Sequence, residues 1–153
     1  MKILIIDDEQ SLTKILTKFL EQNGYEAYPA YTGQEGLEKN DVLKPDVVLV
    51  DLLLPDISGM DLISKFNESS SNVSIVVITG VGSVDSAVQA MKKGAEDYLE
   101  KPIDLEKLNI VMKRIAEKRG PIAAGGLGFE VFRVTGFDPR GQGEQALIFS
   151  SQF

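Results

Sequence analysis

Hydrophobic and polar positions follow two rhythms along the first 118 residues of the chain. Short runs are apolar at most positions, and between them lie longer stretches in which apolar residues return every three or four positions. The first rhythm is typical of strands that are covered on both faces, and the second is typical of amphipathic helices. The pattern therefore predicts strands near residues 2–6, 46–50, 74–78 and 97–100.

A further strand-like segment, residues 26–31, contains Pro29. Because proline has no N–H group for the hydrogen-bond ladder, we expect this strand at an edge of the sheet. The predicted helices begin after the N-cap residues of each segment, and they cover residues 10–22, 33–40, 59–67, 84–93 and 105–118. Alternating strands and helices with short connections predict a doubly wound α/β fold. We expect a flavodoxin-like, five-stranded parallel sheet in the order 2-1-3-4-5.

The remaining residues, 119–153, differ in kind from the first 118. They hold half of the 14 glycines, no lysine and no helical period. The segment is too short for an independent domain with a core of its own. We therefore expect one domain over residues 1–118, followed by a glycine-rich extension that is either a β-hairpin arm or non-native sequence.

Composition narrows the chemistry that the chain can support. Cysteine and histidine are both absent, which removes thiol chemistry, disulfides, the usual general base and the commonest metal ligand. The formal net charge of −7 argues against direct binding of nucleic acid. No apolar stretch approaches the ~18 residues of a membrane span, and the apolar run at the N-terminus is too short for a signal peptide. We expect a cytoplasmic protein.

Polar residues of different types follow the predicted strands. Asp7 and Asp8 follow the first strand, Asp51 follows the third, Thr79 ends the fourth and Lys101 follows the fifth. Because the carboxyl ends of parallel strands share one edge of the sheet, we expect these side chains to converge there, where ligands bind in open α/β sheets.

Each of these residues also has an ordinary structural interpretation. Asp8 could interact with the start of the next helix, Asp51 could cap a strand end, and Thr79 and Lys101 are common residue types in strands and on surfaces. Together, however, carboxylates without His or Cys favour Mg²⁺ or Mn²⁺. A carboxylate at the centre of such a site can also act as a nucleophile toward a phosphoryl group.

The combination of motifs resembles the receiver domain of two-component response regulators, over residues 1 to about 118. The residues that carry the resemblance are Asp7-Asp8, Asp51 with Leu54-Pro55-Asp56 and Ser58-Gly59, Thr79-Gly80, and Lys101-Pro102. The region after Lys101-Pro102 is similar to receivers of nitrogen-regulation-type transcription activators. We expect the Lys101-Pro102 bond to be cis, which would direct the lysine over the site.

The resemblance implies a role for each residue of the site. Asp51 would be the phosphoacceptor, and a sensor histidine kinase or phosphotransfer protein would be the donor. Asp7, Asp8, Asp51 and the backbone carbonyl of Leu53 would bind Mg²⁺ or Mn²⁺. Thr79 and Lys101 would hold the phosphoryl oxygens.

The resemblance also implies a switch and an output. Movement of Thr79 would let Tyr98 rotate, and the face formed by the fourth helix, fifth strand and fifth helix would change. The output would be transcription, with a possible homodimer. The chain would be no enzyme beyond its own phosphorylation and dephosphorylation. Leu53 and Val81 are apolar where the family modulates attack by water, so we expect slow self-dephosphorylation.

Three alternatives share parts of this pattern. A dehalogenase-type phosphatase needs a second acid two residues after its nucleophile, where this chain has Leu53. A flavodoxin-like electron carrier needs a hydroxyl-rich phosphate loop, where this chain has Asp7-Asp8-Glu9. A phosphorylation-independent interaction module would normally lack part of the acidic set.

Overall fold

The structure is a computed structural model that describes residues 1–69, 72–80 and 82–125. Strands and helices alternate along this part of the chain. In order they are β1 (Lys2–Ile6), α1 (Gln10–Gln22), β2 (Glu26–Ala30), α2 (Gly33–Leu43), β3 (Val47–Val50), α3 (Gly59–Ser69), β4 (Ser74–Thr79), α4 (Val84–Lys92), β5 (Asp97–Glu100) and α5 (Leu105–Gly125). No helix of the described residues combines the length and the apolar character that crossing a membrane requires.

The strands form one parallel sheet in the order β2-β1-β3-β4-β5, which confirms the predicted topology. The register pairs Ile6 with Val50 and Val50 with Val77, while Thr79 pairs with Glu100. The strands therefore end close to one line. This register places the residues that follow the strands along a single edge of the sheet.

Strand β2 lies at one edge and pairs with β1, as Pro29 predicts. Pro29 lies opposite Ile5 in the register. Its backbone carbonyl accepts a hydrogen bond from the Lys39 side chain of α2. A proline is tolerated here because an edge strand needs to complete its ladder on one side only.

Both faces of the central strands are buried, which explains why their sequences are continuously apolar. One face carries the core cluster with α3 and α4, and it includes Leu4, Ile6, Val48, Val50, Ile75, Val77, Leu62, Ile63, Phe66 and Ala90. The alternate strand residues, with Leu16 and Leu20 of α1, are fully buried outside that cluster. The two-sided core holds the strand ends, and hence the site, in fixed positions.

The helix boundaries agree with the sequence pattern at most ends. Helix α1 has the predicted limits, Thr32 caps α2 and Ser83 caps α4. Helix α3 continues to Ser69, past its predicted end at residue 67, because the exposed face of a last helical turn needs no apolar residue.

Helix α5 runs beyond the predicted end near Lys118. It reaches Gly125, with a kink at Gly120, whose φ of 84° is non-helical. The chain divides into two compact units after Asn109, inside α5. The predicted hairpin arm, or non-native segment, falls almost entirely on residues 126–153, which lie outside the described residues.

Candidate functional site

Four of the residues that were predicted to converge, Asp7, Asp8, Asp51 and Lys101, lie close together at the carboxyl edge of the sheet, and Thr79 ends a strand at the same edge. The ladder continues just past the strands, because Asp51 N–H donates to the Ile6 carbonyl at 3.0 Å and Lys101 N–H donates to the Thr79 carbonyl at 2.9 Å. Asp7, Asp51 and Thr79 are buried, with exposed fractions of 0, 4 and 0%. The site is thus formed by strand ends that the sheet aligns.

Three carboxylates form the floor of the site. Oxygen atoms of Asp7, Asp8 and Asp51 all lie within 4.8 Å of one another. Asp8 is exposed, whereas the other two are buried. Carboxylates at this separation repel unless a cation lies among them.

The Lys101 ammonium lies among these carboxylates. Its Nζ is 2.8 Å from Asp7 Oδ2, 3.0 Å from Asp51 Oδ2 and 3.3 Å from Glu9 Oε1. The Lys101-Pro102 peptide bond is cis, as predicted. Glu9 was not anticipated as a neighbour of Lys101, although the run of three acids after β1 was the available signal.

Each buried aspartate divides its two oxygens between a turn and the site. Asp7 Oδ1 accepts a hydrogen bond from Glu9 N–H at 2.8 Å, and Asp51 Oδ1 accepts one from Leu53 N–H at 3.1 Å. These local bonds fix the carboxylate planes. In both residues the second oxygen, Oδ2, is left to face Lys101.

Burial and neighbouring charges together raise the pKa of both Asp7 and Lys101. Burial, reinforced by the Asp51 charge, raises the pKa of Asp7, although Lys101 and the Glu9 N–H group partly oppose this. Burial alone would lower the pKa of Lys101, but the hydrogen bonds and charges of Asp7 and Asp51 outweigh it and raise the pKa. Lys101 is therefore fully protonated at neutral pH.

The donor set fits a hard divalent cation. Asp7 Oδ2 is buried, and its neighbour among the described residues is the Lys101 ammonium, 2.8 Å away. A buried carboxylate oxygen beside two more carboxylates, with no nitrogen or sulfur ligand, suits Mg²⁺ or Mn²⁺.

Thr79 and Tyr98 lie in the adjacent strands β4 and β5. Thr79 ends β4, and Tyr98 lies in β5 opposite Val77. The Tyr98 hydroxyl is 3.1 Å from Ser86 Oγ on α4. Ser86 also completes a capping box with Ser83, but the usual sequence signature has Glu or Gln at this position, so the sequence did not single Ser86 out. Val81, the second apolar residue that we expected to affect hydrolysis, lies outside the described residues.

Comparison with known proteins identifies relatives of this chain. A family model described as the response regulator receiver domain matches residues 3–113. The chain is 34% identical over 108 residues to the transcriptional regulatory protein TrcR of Mycobacterium tuberculosis, covering 71% of this chain and 42% of TrcR. It is 32% identical over 113 residues to the regulatory protein AtoC of Escherichia coli, covering 74% of this chain and 24% of AtoC.

A solved structure shows the same fold. A two-component response regulator from Clostridium difficile superposes with a TM-score of 0.76 at 32% identity, covering 78% of this chain and 98% of that one. The chain spans less than half the length of TrcR and AtoC. The similarity to those two regulators therefore concerns one part of each of them.

Proposed function

The chain belongs to the response regulator receiver domain family, and we propose that Asp51 is the phosphoacceptor of a receiver formed by residues 1–118. The observation that supports this most directly is the state of the Asp51 carboxylate. It is buried at the centre of the site, with Oδ1 bonded to Leu53 N–H and Oδ2 next to Lys101. One oxygen is thus held by the backbone while the other is presented to the site.

The proposed reaction is a phosphoryl transfer between two side chains. Asp51 Oδ2 attacks the phosphorus of a phosphohistidine on a sensor kinase or phosphotransfer protein, and an acyl phosphate forms as the P–N bond breaks. The donor histidine leaves with the electron pair and takes up a proton. Because this chain has no histidine, the donor histidine must belong to another protein.

Positive charge is required where the phosphoryl group arrives. Asp7, Asp8, Asp51 and the Leu53 carbonyl would hold a Mg²⁺ or Mn²⁺ ion, which would neutralise charge on the transferring group. Lys101 and the Thr79 hydroxyl would contact the phosphoryl oxygens. Lys101 is well suited because its ammonium already faces Asp51 Oδ2 at 3.0 Å.

Phosphorylation would reach the surface through Thr79 and Tyr98. A phosphoryl group on Asp51 offers new acceptors to the Thr79 hydroxyl, so Thr79 would move toward it. Tyr98 would then rotate and give up its contact with Ser86. The face formed by α4, β5 and α5 would change in consequence, and a partner that prefers one state would shift the population.

The relatives support a proposal for the output of this receiver. TrcR is a transcriptional regulatory protein, and we propose that this chain controls transcription, as a receiver of the nitrogen-regulation type with a possible homodimer. The chain would act in the cytoplasm and leave contact with nucleic acid to another domain. It would be no enzyme apart from forming and losing its own acyl phosphate. Residues 119–153 would be an extension outside the receiver.

Intact mass spectrometry tests the proposal. Incubation with Mg²⁺ and acetyl phosphate should add one phosphoryl group to the chain, and Asp51→Asn should abolish the addition. Asp41→Asn, which removes an exposed acid of α2, is the matched control and should be phosphorylated normally.

Other outcomes would favour the alternatives. No mass gain with several small donors and with a phosphorylated kinase would favour the phosphorylation-independent interaction module. Sustained release of phosphate from monoesters would favour a phosphatase, although Leu53 stands where that mechanism needs its second acid.

A further inference from the structure

Asp56 joins the loop after β3 to the start of α2. The loop, residues 51–58, carries Asp51 at its first position and Leu53 shortly after. The Asp56 carboxylate leaves this loop and accepts two hydrogen bonds from α2, from Gly33 N–H at 2.8 Å and Gln34 N–H at 2.9 Å. The two segments are far apart in sequence, so this tie belongs to the tertiary structure.

Asp56 completes the capping of α2. The first N–H groups of a helix have no acceptor within the helix. In α2, Thr32 accepts from Glu35 and Gly36 through its hydroxyl and its carbonyl, each at 3.0 Å. Gly33 and Gln34 are the two donors left, and Asp56 accepts from both. These backbone bonds, first from Gln34 and then from Gly33, lower the pKa of Asp56, so it is ionised at neutral pH.

The loop and the helix end also pack closely. A Cβ atom on Gly33 would lie 3.0 Å from Ile57 Cβ and 3.2 Å from Leu62 Cδ1. The helix start therefore presses against the loop where Asp56 reaches across. Because glycine is the residue at this contact, the backbone N–H groups can approach the carboxylate directly.

The same loop is anchored at two further points. Leu53 N–H donates to Asp51 Oδ1 at 3.1 Å, and Gly59 N–H donates to the Leu52 carbonyl at 3.0 Å. The stretch from Leu53 to Asp56 lies between these anchors, and its distal end is held by α2. The orientation of the Leu53 peptide thus depends on both the Asp51 turn and the Asp56 tie.

We propose that Asp56 is a positioning residue for the divalent-cation site, acting through the loop that bears the Leu53 carbonyl. The inference rests on the proposed function, in which that carbonyl and Asp51 bind the ion. Asp56 holds the loop against the end of α2, so that the carbonyl is in place before the ion binds. Residues behind the ligands of a metal typically change its affinity by 10–100-fold when they are removed.

Calorimetric titration of the full chain with Mn²⁺ tests this role. Asp56→Ala should weaken Mn²⁺ binding about tenfold, whereas Asp41→Asn, which removes an equal charge from the exposed side of α2, should bind as the wild type does. Asp56→Asn keeps one acceptor oxygen and should fall between wild type and Asp56→Ala. Circular dichroism under the titration conditions confirms that each variant is folded.

A second variant tests whether Asp56 affects the cation site through its hydrogen bonds to α2. Gln34→Pro removes one of the two donors while leaving Asp56 in place, and proline is tolerated in the first turn of a helix. It should weaken Mn²⁺ binding less than Asp56→Ala does, and the double variant should bind no more weakly than Asp56→Ala alone. Additive losses would contradict a shared route.

The results separate this inference from the proposed function. If the wild type binds Mn²⁺, Asp8→Asn loses it and Asp56→Ala retains full affinity, the positioning role alone is wrong. If Asp56→Ala and Asp41→Asn weaken Mn²⁺ binding equally, the effect is due to net charge and the positioning role is also wrong. If the wild type binds no Mn²⁺, the cation site itself fails and the inference with it.

Discussion

At the scale of single residues, Lys101 provides a positive charge next to the buried carboxylates of the site. Its Nζ lies within 3.0 Å of Asp7 Oδ2 and of Asp51 Oδ2, and both aspartates are buried. Burial makes ionised Asp7 unfavourable, and the lysine offsets part of that cost. The site therefore tolerates two buried acids because a third strand contributes a cation.

Replacing Lys101 should destabilise the fold in a pH-dependent way. Lys101→Met leaves buried carboxylates without their cation, which should lower the free energy of unfolding at pH 7 by roughly 2 kcal/mol. Because the pKa of Asp7 is already raised, Asp7 contributes most stability when protonated, and this contribution is lost as pH rises through its folded pKa. The deficit relative to wild type should shrink as the pH falls. Urea unfolding at several pH values measures it.

The control for this comparison is Lys107→Met, which removes an exposed lysine of α5. It should change the free energy of unfolding by less than about 0.5 kcal/mol. A deficit in Lys101→Met that equals the control, or that stays constant with pH, would contradict the role assigned to the ammonium.

A second prediction at this scale is that the Leu53 side chain affects the lifetime of the phosphoryl group on Asp51. Its side chain is 62% exposed beside the buried Asp51 and cannot orient a water molecule. We expect the phosphorylated wild type to persist well beyond seconds, and Leu53→Asn, which introduces a group able to bind water, to lose the phosphoryl group faster. Intact mass measured over time after removal of the donor gives both rates. A wild-type half-life of seconds would contradict the expectation.

At the scale of elements, the site depends on how closely α3 and α2 approach the strand ends. Gly59 begins α3, and a Cβ atom there would lie 2.4 Å from Leu52 Cα and 2.5 Å from the Asp51 carbonyl oxygen. Those neighbours are backbone atoms of the phosphoacceptor segment. The start of α3 therefore fits against this segment only when it has no side chain.

Gly59→Ala should force the Asp51 segment and α3 apart. We expect a loss of about 2 kcal/mol in the free energy of unfolding, as for other overpacked positions. Gly80→Ala is the matched control, because a Cβ atom at that position has no neighbour within 4 Å. Chemical denaturation of both variants measures the difference, and equal stability of the two would show that the backbone contact is dispensable.

The sequence predicted the elements and the residues at the strand ends, but not the contacts between elements. Asp7, Asp51 and Thr79 could be placed at one edge because the strand ends and the strand order were predicted from the chain, whereas the register came from the structure. The pairing of Asp56 with Gly33, or of Tyr98 with Ser86, depends on the distance between two packed elements. No local pattern encodes that distance, so these contacts required the structure.

At the scale of the whole molecule, the acidic site should couple cation binding to folding. Asp7 and Asp8 follow β1 and Asp51 follows β3, so their carboxylates come together only in the folded chain. A ligand that binds only the folded state raises its stability by an amount that grows with concentration. The free energy of unfolding should therefore rise with the occupancy of the cation site.

Mg²⁺ should therefore stabilise the protein against heat. At about 100 times its dissociation constant, the ion should add roughly 2.7 kcal/mol to the free energy of unfolding and raise the Tm accordingly. Asp8→Asn should lose most of this gain, while Asp41→Asn should keep it. Calorimetric scans with and without chelator measure the shift. A gain that NaCl of equal ionic strength reproduces would indicate general screening instead of a site.

The proline in the edge strand has a consequence for solubility. Pro29 offers no donor along the outer side of β2, and its carbonyl is already occupied by the Lys39 side chain. An incoming extended segment from another molecule would find neither a complete row of hydrogen-bonding groups nor an uncharged border. The β2 edge of the sheet is thereby protected from templating intermolecular β-structure.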